Sequence, residues 1–349
     1  MTTLYCGMDF HKNTTTFCIV DELGKQHELS TVKTAKLVSH FANRPKMMIG
    51  IEASGGTNDM VERLKKSGHD VRIINPNKFK AIGIGGKKTD EKDARAIADI
   101  LRLSYIPEVY HKSRYAREIK SLIVGREMLV RTRVNMANHI RGLLREYGIT
   151  MPAGFDKFLA NAKESISRLD SPEIEEHLFD LLERVKDLDT RTKAMEKTLE
   201  EIAERDERVK TVRTAPGIGL MTAVMLIAVL DDHSRFKDAK HFASYLGLVP
   251  REHSSGDKRR MGSITRSGSE ILRRYFIHGA RSTLMYTSKK ASTDPNKMWA
   301  LRLKAKHGTN KATVALAHRM ARIAFAMIRD NATYGDIKER QTKEEMLAA

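Results

Sequence analysis

Two stretches decide the fold of the first part of the chain, Leu4-Tyr5-Cys6-Gly7-Met8-Asp9 and Met47-Met48-Ile49-Gly50-Ile51-Glu52. Each is an apolar run of strand length that ends in a carboxylate. Around them the sequence predicts further strands near residues 16–20, 28–32 and 71–74, and helices near residues 35–42 and 57–67. Three strands followed by helix, strand, helix and strand predict a mixed α/β sheet with helices packed on it.

The composition indicates a folded, strongly basic protein. Among the 349 residues, 62 Lys and Arg stand against 44 Asp and Glu, which gives a formal net charge of +18, and 41% of the residues are hydrophobic. A chain of this length is expected to form two or three domains with a substantial core. The charge is uneven, since residues 211–349 hold 25 basic and 12 acidic side chains. A polyanionic partner that contacts this last segment is therefore predicted.

Membrane and disulfide-rich classes are disfavoured. The longest stretch without a charged residue, 214–230, is short and is broken by Pro216, so no membrane span is expected. The first residues lack the basic and apolar pattern of an export signal, which favours a cytoplasmic, nucleoid-associated location. Cys6 and Cys18 lie in apolar runs, which indicates reduced core residues rather than a disulfide framework or a thiolate zinc site.

The middle of the chain has the apolar rhythm of a long helix pair. Ser171 and Pro172 mark the start of one helix. Its seam repeats at alternating spacings of four and three residues, through Ile174, Leu178, Leu181, Val185, Leu188, Thr192, Met195, Leu199 and Ile202. Residues 119–143 follow the same rhythm, with Arg126 and Arg133 at two seam positions. An antiparallel coiled-coil hairpin joined around residues 150–171 is predicted.

The last segment combines a glycine-rich turn with basic loops and helices. Residues 214–219 precede an apolar helix and read as a helix-hairpin-helix-like turn, in which the backbone at Gly217 and Gly219 meets a phosphate. A loop is expected over residues 250–269, and basic helices near 270–285 and 313–329. The predicted nucleic-acid contacts are the basic residues of these parts, Arg251, Lys258, Arg259, Arg260, Arg266, Arg273 and Arg274.

Four carboxylates form the first candidate site. Asp9 and Glu52 end two predicted strands, and Asp90 and Asp93 lie three apart, on one face at the start of a predicted helix. Each aspartate of the helix, taken alone, is explained as a first-turn acid that favours the helix dipole. Asp9 and Glu52 interrupt apolar strands, where an unpaired charge is costly. Together the four predict an oxygen-ligand site for Mg²⁺ or Mn²⁺ acting on a phosphodiester.

A second candidate site is the basic loop around Ser255. The hydroxyl of Ser255 stands beside Gly256 and among guanidinium groups that are suited to a phosphate. On turn statistics a Ser-Gly pair by itself more often forms a turn than a nucleophile.

Three blocks of residues resemble the transposases of insertion-sequence family one-hundred-ten, the bridge-RNA-guided recombinases. The first combines Gly7-Met8-Asp9 with the stretch around Glu52, and the second is Thr89-Asp90-Glu91-Lys92-Asp93. The third runs from Pro216-Gly217-Ile218-Gly219 through Ser255-Gly256 and residues 262–268 to Leu272-Arg273. In this order and spacing the blocks are specific, and they extend across nearly the whole chain.

The resemblance implies a RuvC-like, ribonuclease-H-type domain over residues 1–113, with a metal-binding DEDD tetrad on Asp9, Glu52, Asp90 and Asp93. It implies a coiled-coil region over 114–210 and a serine-containing transposase domain over 211–335, followed by a flexible tail over 336–349. The nucleophile falls on Ser255, with Ser254 beside it. Further implications are a structured guide RNA, double-stranded donor and target DNA, and a homo-oligomer, either dimer or tetramer, in which metal site and serine meet across subunits.

Two other interpretations of the residues stay open. A two-metal nuclease of the Holliday-junction resolvase kind would hydrolyse DNA without a serine intermediate. A basic scaffold would bind nucleic acid without any catalysis. Neither predicts the four carboxylates together with the Ser-Gly loop.

Overall fold

The computed structural model describes residues 3–76, 78, 89–253, 260–287 and 294–347, of which 287 and 341–347 are described by their backbone only. The chain divides into two compact units, residues 1–112 and 113–349. Each unit is described by itself below.

The first unit is a mixed five-stranded sheet with helices on both faces. The strand order is β3-β2-β1-β4-β5; β1, β2 and β3 pair antiparallel, whereas β1, β4 and β5 pair parallel. The predicted order of elements is confirmed. The elements are β1 (Tyr5–Phe10), β2 (Thr14–Val20), β3 (Gln26–Lys33), α1 (Leu37–Ala42), β4 (Met48–Glu52), α2 (Thr57–Lys66), β5 (Asp70–Ile74) and α3 (Asp90–Arg102).

The two faces of this sheet pack against different helices. On one face Met8, Phe17 and Ile51 pack in a core that includes Phe41 of α1 and Leu64 of α2. The other face is covered by α3, whose buried side chains are Ala94, Ala96, Ile97, Ala98, Ile100 and Leu101. Burial on both faces explains why the parallel strands are almost continuously apolar. Cys6 and Cys18 are free and buried, as expected.

Within the described residues of the second unit, the structure is helical apart from one small hairpin. The hairpin lies within residues 250–269, so the expectation of a plain loop there is wrong: β6 and β7 pair antiparallel on either side of the segment that carries Ser255. The elements are α4 (Arg114–Glu146), α5 (Phe155–Ile166), α6 (Pro172–Arg205), α7 (Glu207–Arg213), α8 (Leu220–Leu230), α9 (Ala239–Tyr245), β6 (Pro250–Glu252), β7 (Met261–Ile264), α10 (Glu270–Thr287), α11 (Pro295–His307), α12 (Thr309–Asp330) and α13 (Tyr334–Leu347).

The two long helices α4 and α6 form an antiparallel pair. Arg126 of α4 forms an ion pair with Glu196 of α6, and Arg133 forms one with Asp189, so partner numbers fall along α6 as they rise along α4. These are the two arginines that interrupt the apolar seam. They are accommodated there because carboxylates of α6 lie opposite them.

The buried face of α6 differs in detail from the predicted seam. Leu178, Leu182, Val185, Asp189, Thr192, Leu199 and Ala203 are buried, so Leu182 and Asp189 take the places expected for Leu181 and Leu188. The segment that joins the pair also contains α5, which packs Phe158 and Ile166 into the same core. The two long helices are antiparallel, as predicted, with an additional helix in the connection.

The rest of the second unit is built around α8, which is buried over most of its length, from Thr222 to Leu230. Phe242 of α9, Phe276 of α10 and Phe325 of α12 belong to the same core. This helix is apolar on all sides because neighbours surround it. The last helix, α13, covers most of the segment expected as a tail.

Candidate functional site

Two glycines allow α3 to lie directly on the sheet. A Cβ at Gly7 of β1 would overlap the carbonyl oxygen of Ala94 and the amide nitrogen of Ala98, and a Cβ at Gly50 of β4 would lie 2.7 Å from Cγ2 of Ile97. Glycine is therefore needed at both positions for this close approach. The contact fixes the first turn of α3 near the ends of β1 and β4.

Asp9 and Glu52 lie at the same end of neighbouring strands. Met8 of β1 is in register with Ile51 of β4, so the next residues, Asp9 and Glu52, stand side by side. Because side chains alternate along a strand, they belong to the face that carries Gly7, and that is the α3 face. Asp9 is 8% exposed, and Glu52 is half-buried.

The loop after Glu52 is closed by its own hydrogen bonds. The hydroxyl of Thr57 donates to the carbonyl oxygen of Glu52 at 3.1 Å and accepts from the amide of Ser54 at 3.0 Å. Gly56 has a left-handed φ of 85°, which a glycine adopts without strain. The end of β4 is thereby held in a defined conformation.

A histidine and two carboxylates converge at the end of β1. Nε2 of His11 lies 3.3 Å from Oδ2 of Asp9 and 4.0 Å from Oδ1 of Asp90. One ligand atom from each of the three residues lies within 4.8 Å of the others. Asp93 and Glu52 are not members of this group of three. Of the four predicted carboxylates, the structure thus brings Asp9 and Asp90 together in this group, with His11 as its third member.

Sequence reasoning missed His11. The signal that could have found it is its position in the sequence, directly after the strand that carries Asp9.

The electrostatics at Asp9 are those of a crowded carboxylate group. Burial raises the pKa of Asp9, His11 opposes that rise, and the negative charges of Asp90 and Asp93 raise it further. Asp93 therefore influences Asp9 although it lies outside the group of three. A buried carboxylate that other carboxylates surround is stabilised by a cation.

The start of α3 has an ordinary cap as well. The hydroxyl of Thr89 accepts from the amide of Lys92 at 3.3 Å, and Asp90, Glu91 and Asp93 all lie in the first turn. These acids interact favourably with the helix dipole. The dipole does not account for the burial of Asp9 beside them. The donor set, hard oxygens with one imidazole, fits a divalent cation such as Mg²⁺ or Mn²⁺.

The basic residues of the hairpin region are partly exposed and partly used within the fold. Arg251, Arg260 and Arg266 are exposed, and Nη2 of Arg251 donates to the carbonyl oxygen of Thr265 at 3.2 Å. Ser254, Ser255, Lys258 and Arg259 lie outside the described residues. The described part of the hairpin therefore presents a basic surface on both sides of the predicted nucleophile in the sequence.

Arg273 is buried, with 7% of its surface exposed. Its Nη1 donates to the carbonyl oxygens of Leu246 and Ser267, at 3.0 and 2.6 Å. Gly268 packs against the backbone of Tyr245 so closely that a side chain there has no room. Arg273 thus links the end of α9 to the segment that follows β7.

Arg274, the next residue on α10, contacts the long helix α4. It forms an ion pair with Glu127 of α4, whose Oε1 also accepts from the hydroxyl of Tyr275 at 2.6 Å. Arg126 donates to the same carboxylate oxygen at 2.8 Å. Arg274 is therefore anchored to the long helix.

The glycine-rich turn between α7 and α8 lines an open cavity of about 580 Å³, together with Arg213, Tyr275 and His278. Gly217 has a left-handed φ of 81° and packs against the carbonyl oxygen of Gly279. Gly219 has free space around it and precedes the first turn of α8, where no side chain caps the helix.

Comparisons with known proteins cover most of the chain. A family model described as "Transposase IS116/IS110/IS902 family" matches residues 209–294, and a DEDD-type transposase model matches residues 6–149. The chain is 32% identical over 333 residues to the "Transposase for insertion sequence element IS1111A" of Coxiella burnetii, which covers 94% of this chain and 90% of the relative. The chain belongs to the IS116/IS110/IS902 family of transposases.

Other relatives extend over similar lengths. A "Probable family 20 transposase" of Pseudomonas aeruginosa is 30% identical over 307 residues, 87% of this chain and 90% of the relative. A "Pilin gene-inverting protein" of Moraxella lacunata is 26% identical over 351 residues, 95% of this chain and 97% of the relative.

As a transposase of this family, the chain is an enzyme that cleaves and rejoins DNA. The matched range 6–149 contains Asp9, Glu52, Asp90 and Asp93, and the matched range 209–294 contains the glycine-rich turn, Ser255 and Arg273. Among the helices that the structure describes, none combines the length and apolar character needed to cross a bilayer.

Proposed function

We propose that this transposase cuts and rejoins DNA with a divalent cation held by Asp9, Glu52, Asp90 and Asp93, and with Ser255 as the nucleophile that becomes covalently linked to DNA. The observation that carries the proposal is the convergence of Asp9, His11 and Asp90 at the end of β1. The raised pKa of Asp9 beside the charges of Asp90 and Asp93 supports a cation at this place.

We further propose that residues 1–113 form a ribonuclease-H-like domain of the RuvC type. The support is the strand order β3-β2-β1-β4-β5, with three antiparallel strands followed by two that continue parallel to β1. The same assignment places a carboxylate at the end of each of the central strands β1 and β4, under the first turn of α3. Residues 114–210, 211–335 and 336–349 are proposed as the coiled-coil region, the serine-containing domain and the tail.

The chemistry follows from the residues. When bound, the cation supplies Lewis-acid stabilisation of negative charge on the scissile phosphate. The Ser255 hydroxyl oxygen forms a bond to phosphorus and loses its proton, while the bond from phosphorus to one deoxyribose oxygen breaks and that oxygen gains a proton. A hydroxyl of the strand to be joined then displaces the serine by the reverse exchange. The number of phosphodiester bonds is conserved, so rejoining needs no nucleotide cofactor.

His11 extends this proposal. Its imidazole is more than half exposed and is within 4.0 Å of both Asp9 and Asp90, which suits a group that orients a carboxylate or holds a proton near the phosphate. Positioning by His11 is a role that the four carboxylates alone do not supply.

The partners are proposed to be double-stranded donor and target DNA, a structured guide RNA and further copies of the chain. The support is the excess of basic residues over acidic ones in 211–349 and the exposed Arg251, Arg260 and Arg266. The family relative named as a pilin gene-inverting protein supports recombination in which cut ends are rejoined rather than left open.

The test is a covalent-trapping assay. The chain is expressed with DNA of its element's flanks, denatured in detergent, and examined for protein-linked DNA. Wild type is expected to give an adduct, Ser255→Ala and Asp9→Asn to give none, and the matched control Ser254→Ala to give the wild-type yield.

Two results would count against the proposal. If Ser254→Ala loses the adduct and Ser255→Ala keeps it, the nucleophile is misassigned. If DNA is cut without an adduct and Ser255→Ala cuts as well as wild type, the enzyme is a two-metal nuclease.

A further inference from the structure

A second basic site lies in the helical unit, away in sequence from the Ser255 segment. It is a cleft of about 510 Å³ between α9, α11, α12 and α13. Its charged and aromatic lining consists of Trp299, His318, Arg319, Arg322, Arg329, Asp330 and Arg340. None of these residues belongs to the predicted nucleic-acid contacts.

Arg322 of α12 is one of the arginines that line this cleft. Its side chain is half-buried, and its Nε is fully buried with no hydrogen-bond partner among the described residues. A buried guanidinium donor that lacks an acceptor is unfavourable. Arg322 therefore contributes a partly desolvated positive charge to the lining of the cleft.

The rim of the cleft retains positive charge after its own ion pairs are formed. Asp330 accepts from Nε and Nη2 of Arg329, at 2.7 and 3.0 Å, and from Nη1 of Arg340, at 2.9 Å. Among the described residues that line the cleft, Asp330 is the only one with a carboxylate. One acid thus faces four arginines, and the net charge of the lining is positive.

Arg319 lies one helical turn before Arg322 on α12 and also lines the cleft. The guanidinium of Arg319 lies over the ring of Trp299, 4.9 Å from its centroid, so the aromatic ring fixes this part of the wall. His318 is next to Arg319 on α12, and burial together with the charge of Arg322 lowers the pKa of its imidazole. A neutral imidazole can donate one hydrogen bond to an oxyanion without adding to the repulsion between the arginines.

We propose that this cleft binds one backbone phosphate of a DNA or RNA strand, with Arg322 as the principal ligand. Guanidinium groups match the geometry of phosphate oxygens, and an enzyme that acts on DNA meets phosphates at high local concentration. The site rests on the proposed function only in requiring a nucleic-acid ligand, and it does not depend on the metal or on Ser255.

The test measures binding in EDTA, which removes the divalent cation that the proposed cleavage requires. Fluorescence anisotropy is recorded with a labelled 30-base-pair DNA duplex and, separately, a labelled RNA hairpin, between 50 and 250 mM KCl. The proposal predicts that Arg322→Met weakens binding of at least one of the two probes about tenfold. It also predicts that the slope of log K against log salt falls by about 0.7 to 0.9 for that probe, the value for one lost phosphate contact. Arg322→Lys is expected to keep the slope and to lose part of the affinity.

Controls keep the result interpretable. Arg191→Met removes an arginine charge from an exposed position on α6, where Arg191 pairs with Asp187, and is expected to bind as wild type does. If Arg322→Met fails to fold, Arg340→Met takes its place, because the Arg340 side chain is 57% exposed and its loss is also expected to weaken binding.

Three results would overturn the proposal. The first is a wild-type salt slope for the Arg322→Met chain, or the Arg340→Met chain if it replaces it, with both probes. The second is an equal loss in Arg191→Met. The third is a thermal stabilisation by sodium phosphate that requires Arg322 while both nucleic-acid affinities stay unchanged, since the cleft would then hold a free anion. A missing covalent adduct in the trapping assay leaves this proposal intact.

Discussion

Gly7 of β1 lies directly against the backbone of α3 at Ala94. A Cβ at position 7 would overlap the carbonyl oxygen of Ala94 and the amide nitrogen of Ala98, neither of which belongs to a flexible side chain. A larger residue can be accommodated only if α3 moves away from the sheet. Because α3 begins with Asp90, the same contact that packs the helix also sets the distance between Asp90 and Asp9.

Gly7→Ala is therefore expected to reduce both stability and activity. Overpacking against backbone atoms predicts a loss of about 3 kcal/mol in the free energy of unfolding, measured by urea denaturation, and loss of the DNA adduct. Gly55→Ala is the matched control, because a Cβ there meets nothing within 4 Å, and it should lie within about 0.5 kcal/mol of wild type. Equal stability of the two variants would contradict the close packing of α3.

Much of the first unit could be predicted from the sequence because its strands are short apolar runs with turns between them. The carboxylate ends of β1 and β4 were predicted as a site for the same reason, since Asp9 and Glu52 break those runs. His11 could not be found in this way, because a polar residue just after a strand has no periodic signal. Its contact with Asp90 depends on the tertiary packing of α3.

The second unit shows where residue patterns are insufficient. Arg273 and Arg274 are neighbours in a basic run, yet one is buried against carbonyl oxygens and the other pairs with Glu127. Only the helical spacing of Arg273 from Phe276 and Ala280, which are buried on α10, distinguishes the two. The hairpin β6–β7 was missed because its strands are three and four residues long and exposed.

Arg133 and Asp189 form an ion pair between α4 and α6 in which Asp189 is 7% exposed. Arg133→Met leaves the buried carboxylate with Lys193, whose Nζ lies 2.8 Å away, as its remaining partner. A loss of about 3 kcal/mol in the free energy of unfolding is expected in urea denaturation. Arg191→Met breaks an exposed ion pair within α6 and should change the free energy of unfolding by less than about 1 kcal/mol. Equal losses would mean that burial of the pair is unimportant.

The same carboxylate predicts an acid-dependent stability. Burial opposes ionisation of Asp189, but the hydrogen bond from Lys193 and the charge of Arg133 outweigh it, so its pKa lies below the usual value of 3.8. A folded-state pKa below the unfolded one contributes stability that is complete above the unfolded pKa and is lost as the pH falls through the folded one.

Asp189→Asn should therefore be less stable than wild type at pH 7, and the difference should shrink as the pH is lowered below 3.8. Urea denaturation of both proteins at steps between pH 2 and pH 7 measures this difference in stability. A difference that is constant with pH would show that Asp189 contributes through packing alone.

Arg273 and Arg251 are expected to respond differently to the same substitution. Arg273→Met leaves the carbonyl oxygens of Leu246 and Ser267 without their donor, and a loss of about 2 kcal/mol in stability is expected. Arg251→Met alters an exposed side chain and should leave stability within about 0.5 kcal/mol of wild type, while it weakens duplex DNA binding. Urea denaturation and fluorescence anisotropy of the two variants decide this. The reverse pattern would show that Arg273 contacts DNA directly.

The carboxylate group predicts opposite effects of Asp9→Asn with and without a cation. Burial and the charges of Asp90 and Asp93 hold the pKa of Asp9 above 3.8, in spite of His11, so stability is lost as the pH rises from 3.8 through the folded-state pKa. In EDTA at pH 7, removal of this charge should therefore raise the melting temperature. With Mg²⁺ at a hundred times its Kd, the free energy of unfolding of wild type should rise by about 2.7 kcal/mol. That of Asp9→Asn should rise much less, so the stability advantage of the variant in EDTA is reduced or reversed.

Asp59→Asn, at an exposed position on α2, should follow wild type in both conditions. An equal response of wild type and Asp9→Asn to Mg²⁺ would place the cation elsewhere.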